Sequence, residues 1–490
     1  KAHKSIICGC GGSGRQTSSI QLAMGAEPKR VISDIHILVL PYPLQGHINP
    51  MLQFAKRLAR TDTNTGGGVR CTLAVTRYLL GQCQDPCPGT VHLAEISDGF
   101  DRAGFLEVGD VAAYLAQLES AGSRTLDELL RSEAEKGRPV CAVLYDSFLQ
   151  PWAPAVARLH GAACVSFFTQ APAVNLAYAH HGRDGTGRME GLPAGLLEHE
   201  DLPSFLTRPD ECPPYLDMLL AQFVGIDAVD HVLVNSFHDL QPLESEYMAS
   251  TWGAKTVGPT VPSAYLDKRI PDDVSYGFHI YTPTTATTTA WLDAQPPRSV
   301  AYVSFGSLAS PGPEQIAEMA EGLHSSGKAF LWVVRASEAS KIPDGFTERV
   351  GGRGLVVPWV AQLEVLAHSA MGCFVTHCGW NSTMEALGAG VPMVAVPQWT
   401  DQPTNAKYIE DVWCVGVRAR RDPEAGVVRR EEVERCVKEV MGSDDKYARN
   451  ASDWKEKSVR AMCQGGSSDK NITEFIHALV GSTKSSNLMC

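Results

Sequence analysis

Short, almost uniformly apolar runs recur along the chain, separated by segments whose apolar residues fall at helical spacing. In the first half the runs are "IHILVL" (35–40), "RCTLAV" (70–75), "CAVLYD" (141–146), "ACVSFF" (163–168) and "HVLVNSF" (231–237). Runs that are apolar throughout, without alternation, are expected of parallel strands covered by helices on both faces. Segments 49–60 and 151–160 supply the crossover helices, with Asn49-Pro50 as a helix start. The pattern breaks over 262–290, rich in Pro, Asp and Thr and including "TTATTTA", which reads as a linker. It then restarts with "SVAYVSFG" (299–306), "AFLWVV" (329–334), "GLVVPW" (354–359), "GCFVTHC" (372–378) and "PMVAVP" (392–397). The final "GGSSDKNITEFIHAL" opens with capping residues and continues as a closing helix.

This alternation predicts an α/β protein with two doubly wound sheets. The expected division is a leader over 1–30, an N-terminal domain over 31–265, a linker over 266–290 and a C-terminal domain over 291–465. Residues 466–490 are expected to pack back on the N-terminal domain. Two such domains face each other across a cleft at the C-terminal ends of their strands, where open α/β sheets bind ligands.

Length and composition narrow the reading. A chain of 490 residues exceeds the usual size of one core. A net charge of −12 argues against nucleic acid as a partner. No run approaches the roughly 18 apolar residues of a membrane span, and the expectation is a cytoplasmic monomer. The 14 cysteines show neither CxxC pairs nor zinc spacing and read as reduced thiols. Residues 1–23 have no helical or strand periodicity and no signal-peptide core, and Met24 looks like a natural start. Gly9, Gly11 and Gly14 in that leader match GxGxxG, but without the strand and helix that give the motif meaning. The sequons at Asn381, Asn450 and Asn471 lack a secretion signal.

Candidate chemistry concentrates at 359–402. His377 and Gly379 follow an apolar strand, and Trp380 to Leu387 reads as the next helix. Such a turn aims backbone N–H groups and the positive helix end at an anion. Asn381, Ser382 and His377 add neutral donors, and no Walker lysine is present. Glu385 lies one turn beyond Asn381, where its carboxylate can accept ribose hydroxyls. Trp359 ends a strand and offers a flat face to a base. A nucleotide diphosphate fits this set; structural packing of the Trp and His is the competing reading.

The stretch "WVAQLEVLAHSAMGCFVTHCGWNSTMEALGAGVPMVAVPQWTDQ" (359–402) resembles the signature box of plant UDP-sugar-dependent glycosyltransferases of small molecules. "PYPLQGHINPMLQFAKRLA", "YDSFLQPWA", "SVAYVSFGSLA" and "GGSSDKN" resemble the same family, so the likeness runs from about residue 31 to 482. It implies the two-domain GT-B fold, with the donor in the C-terminal domain and the acceptor in the N-terminal one. By position it implies that Trp359 stacks on uracil, the Val360 backbone pairs with its edge, and Gln362 and Glu385 hold the ribose. Ser307, His377, Asn381 and Ser382 would bind the phosphates, Trp380 would help position the sugar, and Asp401 and Gln402 would bond its hydroxyls. Gln402 goes with glucose, so the expected co-substrate is UDP-glucose, with no cofactor and no metal. One departure is Val360-Ala361, where the family has Cys or Ala followed by Pro.

His47 in "GHINP" follows the first strand and suits a general base on an acceptor hydroxyl. Asp146 ends the "CAVLYD" strand, where it either orients that imidazole or caps a following helix. The resemblance makes the two a His–Asp pair. Phe148, Phe168, Gln170 and Tyr178 are the expected lining of a lipophilic acceptor pocket. The function expected is inverting transfer of glucose to a hydroxyl or carboxyl group of a small lipophilic metabolite, hormone or toxin. A catalytically silent nucleotide-sugar binder, a transferase of another UDP-sugar and a Rossmann oxidoreductase are the alternatives.

Overall fold

The computed structural model describes residues 35–61, 68–83, 86–184 and 196–486; the leader and its GxGxxG lie outside them. The first sheet holds β1 (Ile35–Leu40), β2 (Val69–Thr76), β3 (His92–Ile96), β4 (Ala142–Asp146), β5 (Ala163–Phe168), β6 (His231–Val234) and β7 (Lys255–Thr256). All pairs are parallel, in the order β3-β2-β1-β4-β5-β6-β7. The second sheet holds β8 (Val300–Ser304), β9 (Ala329–Val333), β10 (Gly354–Val357), β11 (Met371–Thr376), β12 (Met393–Ala395) and β13 (Gly416–Arg418). It is also parallel, in the order β10-β9-β8-β11-β12-β13. The central strands β1, β4, β8 and β11 are buried at every position, which is why their sequences are apolar without alternation. Strands β3, β7 and β13 gave no such run: β3 is an edge strand whose His92 and Glu95 are exposed, and β7 and β13 are only two and three residues long.

Two expectations on elements are corrected. The helix after β1 spans Gln45–Ala59, so Pro50 lies inside it and does not start it. Thr285–Asp293, expected as linker, is a helix. Threonine is a poor helix former, yet Leu292 is buried in a core shared by the two halves and Trp291 packs against it. Tertiary packing overrides the local preference.

The connection between the sheets is gripped by the first helix. Lys56 bonds Asp273 at 3.1 Å and Arg57 bonds Asp267 at 2.7 Å, both pairs nearly buried. The last helix, Ser467–Ser486, packs on the first half: Phe475, Ile476 and Leu479 share a core with β1 and β2. Ser468 and Asn471 donate to the carbonyls of Gly258 and Thr256. The halves are joined directly as well, through Trp413 Nε1 to the Leu240 carbonyl (2.9 Å) and Arg418 to Asp201 (2.6 Å). No helix among the described residues is long and apolar enough to cross a membrane, and the described cysteines are all free.

Candidate active site

Each sheet reverses its winding once. In the first sheet the reversal falls between β1 and β4, and in the second between β8 and β11. The loops leaving such neighbours diverge and open a crevice at the strands' C-terminal ends. His47 follows β1 and Asp146 ends β4; Ser307 follows β8 and His377 follows β11. The two crevices merge into one cleft of about 940 Å³, lined from both halves.

On the first wall His47 Nδ1 lies 2.7 Å from Asp146 Oδ2 and 3.1 Å from Thr169 Oγ1. Asp146 is fully buried and His47 is partly exposed, at 15%. The other carboxylate oxygen, Oδ1, accepts the Phe148 N–H at 3.1 Å. Asp146 therefore both caps the short turn Ser147–Leu149 and holds the imidazole. With Nδ1 engaged by the carboxylate, Nε2 is the ring nitrogen left for a substrate proton. Tyr42 and Phe148 flank the ring at centroid distances of 5.3 and 4.7 Å.

The internal Pro50 has a consequence here. A proline has no N–H, so the carbonyl four residues back loses its helical partner. That carbonyl belongs to Gly46, and Asn381 of the opposite wall donates to it from Nδ2 at 2.6 Å. "GHINP" thus supplies both the histidine and an acceptor that latches the donor helix to it.

On the second wall the helix Trp380–Ala389 begins after a strained turn. Cys378 is held at φ +67°, a conformation that costs about 1–3 kcal/mol in a non-glycine residue. Thr376 Oγ1 and Asn405 Nδ2 hold its N–H and carbonyl. The turn presses the His377 ring between two glycines. A Cβ at Gly379 would sit 2.6 Å from Nε2, and one at Gly306 (φ +72°) would sit 2.8 Å from it. Burial pushes the His377 imidazole down to about 4, against a hydrogen bond to the Ser304 backbone that raises it; the Arg335 guanidinium adds a smaller lowering effect. At neutral pH the ring is uncharged, a donor or acceptor and not a cation. Arg335 spends its own N–H groups on the carbonyls of Gly306 and Ala309.

Further along, Gln362 Nε2 donates to Glu385 Oε2 (2.6 Å) and Ser382 Oγ (3.0 Å), and Tyr276 donates to Glu385 Oε1 (2.8 Å). Tyr302 fixes the other end of Gln362 at 2.9 Å. Burial raises the Glu385 carboxyl, against the two donors. Trp359 lines the same cleft, its ring 4.4 Å from that of Tyr281 and its carbonyl bonded to Thr284 N–H. Val360 beside it is buried. Asp401 accepts from Thr400 and Asn405, while Gln402 Oε1 caps the N–H groups of Gln398 and Trp399. The Gln402 amide NH₂ remains for a ligand.

Residues 275–455 match the family described as UDP-glucoronosyl and UDP-glucosyl transferase. A UDP-glucosyltransferase of Hordeum vulgare subsp. vulgare is 46% identical over 477 residues, 94% of this chain and 97% of that one. The chain belongs to this transferase family. A flavonol 7-O-beta-glucosyltransferase of Arabidopsis thaliana is 44% identical over 449 residues, 90% of this chain and 97% of its own. The crystal structure of Os79 from O. sativa in complex with UDP superposes with a TM-score of 0.84 at 45% identity, covering 90% of this chain and all of that one. This glycosyltransferase therefore has the GT-B fold, and it acts on small molecules.

The donor-side residues expected from the sequence all line the one cleft of the glycosyltransferase: Ser307, Trp359, Val360, Gln362, His377, Trp380, Asn381, Ser382, Glu385, Asp401 and Gln402. Trp380 differs in its side chain, whose indole donates to the Asn235 carbonyl of the first half at 2.8 Å and is buried. Its ring ties the walls together.

Of the acceptor residues, Phe148 and Gln170 line the cleft, but Phe168 and Tyr178 do not. Phe168 is fully buried on the face of β5 opposite Phe167 and stacks on Phe223. Tyr178 is fully buried in the helix Pro172–Asp184. Both were drawn from apolar sequence near the site, where strand and helix periodicity turns half of the side chains away. Sequence reading missed Thr169, Tyr276, Tyr281 and Tyr302. Thr169 had a signal, being the first residue past β5; the two tyrosines of the connecting segment had none.

Proposed function

We propose that this enzyme transfers glucose from UDP-glucose to an oxygen of a small lipophilic acceptor, with inversion at the anomeric carbon. The observation that carries the reading is the His47–Asp146 contact of 2.7 Å in the cleft that also holds Glu385, Gln362 and His377. A silent nucleotide-sugar binder has no use for a histidine held in one tautomer by a buried carboxylate. In this reading uracil stacks on Trp359, the ribose hydroxyls meet Glu385 and Gln362, and the diphosphate meets the helix end, Ser307 and His377. Asp401 and the Gln402 amide hold the sugar.

The acceptor oxygen attacks the anomeric carbon from the side opposite the diphosphate. A hydroxyl proton passes to His47 Nε2, and Asp146 stabilises the imidazolium. The bond from the anomeric carbon to the β-phosphate oxygen breaks, and its electron pair leaves on UDP. A positioned base contributes typically ~10²–10⁴-fold to such a step, and donors preset around a developing anion act without reorganisation. We take those donors, not a metal, to meet the diphosphate charge, so a chelator leaves the rate unchanged. The names of the relatives support glucose, and the crystal structure of Os79 in complex with U2F and trichothecene supports a lipophilic acceptor for the fold. A cytoplasmic monomer goes with this reading, and fractionation and light scattering check it.

The test is UDP release and a hexose mass shift with a panel of phenols and alcohols. UDP-glucose is expected to give a higher kcat/KM than UDP-galactose. UDP-galactose as the better donor would remove glucose from the reading, and no transfer with any sugar would remove the enzyme activity.

A further inference from the structure

The cleft has to hold a doubly charged diphosphate, yet among the described residues that line it there is neither lysine nor arginine. Its charged side chains are carboxylates: Asp98, Glu364, Glu385 and Asp401. Three of these have assignments or positions on the donor side. Asp98 does not. It follows β3, is 1% exposed, and lines the acceptor side of the cleft with Tyr42, Tyr114 and Tyr215.

Asp98 Oδ1 accepts the Phe100 N–H at 2.9 Å, and Oδ2 accepts the Tyr114 hydroxyl at 3.1 Å. Its own backbone N–H is a third donor; a carboxylate accepts about four hydrogen bonds, so one acceptor position remains. Around it the wall is aromatic. Phe100 stacks on Tyr114 at 5.7 Å, and Phe105 meets the same ring edge-on at 5.5 Å. Tyr42, whose ring leans on His47, shares a hydrogen bond with Tyr215. The acceptor side therefore offers apolar faces, hydroxyls and one buried acid, and no positive charge.

We propose that this cleft selects uncharged, hydroxyl-bearing acceptors over carboxylates, with Asp98 as the selecting residue that receives a second hydroxyl of the acceptor. The inference rests on the glucosyl-transfer reading above and decides between its two acceptor oxygens. An acceptor carboxylate entering the cleft meets Asp98, Asp401 and the diphosphate with no cation to offset them, and like charges in a site of reduced dielectric repel strongly. An acceptor alcohol loses its proton only as it attacks, and that proton passes to His47 Nε2 while the bond pair leaves on UDP. The Asp98 turn itself needs only Oδ1, which asparagine keeps.

The experiment compares an aryl diol, its mono-alcohol and the matching aryl carboxylic acid at pH 7.5, with wild type and Asp98→Asn. Wild type is expected to favour the mono-alcohol over the acid at least tenfold in kcat/KM, and the diol to have the lower KM of the two alcohols. Asp98→Asn is expected to raise the diol KM about tenfold, to leave kcat nearly unchanged and to narrow the gap between alcohol and acid. Wild type using the acid as well as the alcohol would overturn the inference and leave glucosyl transfer standing. Unchanged selectivity in a folded Asp98→Asn would reduce Asp98 to a turn former and overturn its assignment. The wild-type ratio decides the acceptor class even where the variant does not fold. Transfer to none of the three would sink the glucosyl-transfer reading and this inference with it.

Discussion

The two walls of the cleft are built on different plans. On the donor wall nearly every polar group comes from residues 359–402, and those groups are already bonded within the protein: Gln362 to Glu385 and Ser382, and Asp401 to Asn405 just beyond the stretch. The acceptor wall draws on turns after β1, β3, β4 and β5, and on Tyr215 and Met218 far from them in sequence. In the proposed reading one wall meets a single co-substrate and can be set in advance. The other presents aromatic faces and few fixed polar atoms, a surface on which acceptors of different outline can lie.

The contrast breaks most sharply at His47. Replacing it with alanine is expected to lower kcat for an alcohol acceptor by ~10²–10⁴-fold. The KM for UDP-glucose should hardly move, because His47 stands on the acceptor wall. A large rise in donor KM together with a small loss of kcat would mean that the histidine shapes the donor seat, and the division of the walls would fail.

The donor wall carries the next effect, in stability. The folded His377 imidazole titrates at about 4, against 6.5 for the free group. Between those values the unfolded chain binds more protons, so this contribution is complete above pH 6.5 and is lost as pH falls toward 4. A gap of that size corresponds to about 3 kcal/mol. Denaturant melts of wild type and His377→Asn across this range should diverge in slope, the variant being flatter. Parallel curves would show that His377 is not held neutral by its enclosure.

Much of the donor wall was legible because its residues are contiguous and their spacing maps onto one strand, one turn and one helix. Central strands were legible for the same reason: burial on both faces leaves an unbroken apolar run. What failed was whatever depends on a partner distant in sequence. Nothing local says that Asn381 meets the carbonyl that Pro50 orphans, or that Tyr276 reaches Glu385. Phe168 and Tyr178 failed differently, since being near the site in sequence does not decide which way a side chain points. The helix Thr285–Asp293 looked like linker because its anchors, Trp291 and Leu292, come after five threonines and two alanines.

Trp359→Ala tests the donor wall in binding alone. Base stacking of about 1–3 kcal/mol, lost equally in ground and transition states, should raise the UDP-glucose KM about tenfold while kcat stays within about twofold. An unchanged KM would remove Trp359 from the nucleotide seat.

The smallest effect sharpens the comparison, because it asks whether the connecting segment belongs to the donor wall. Tyr281 lies 4.4 Å from Trp359 with the rings tilted by 35°, and three residues on Thr284 N–H holds the Trp359 carbonyl. The segment therefore grips the tryptophan by ring and backbone together, which fixes the plane a base would stack on. Aromatic pairs contribute about 0.5–1.5 kcal/mol beyond area, and only part of that is felt by a ligand on Trp359. Tyr281→Ala is expected to raise the UDP-glucose KM about two- to fivefold, and Tyr281→Phe to leave it unchanged, since the ring makes the contact and not the hydroxyl. Isothermal titration with UDP measures both variants without an acceptor. Tighter UDP binding by Tyr281→Ala would reverse the assignment, because Tyr281 would then be occupying the seat of the base instead of holding it.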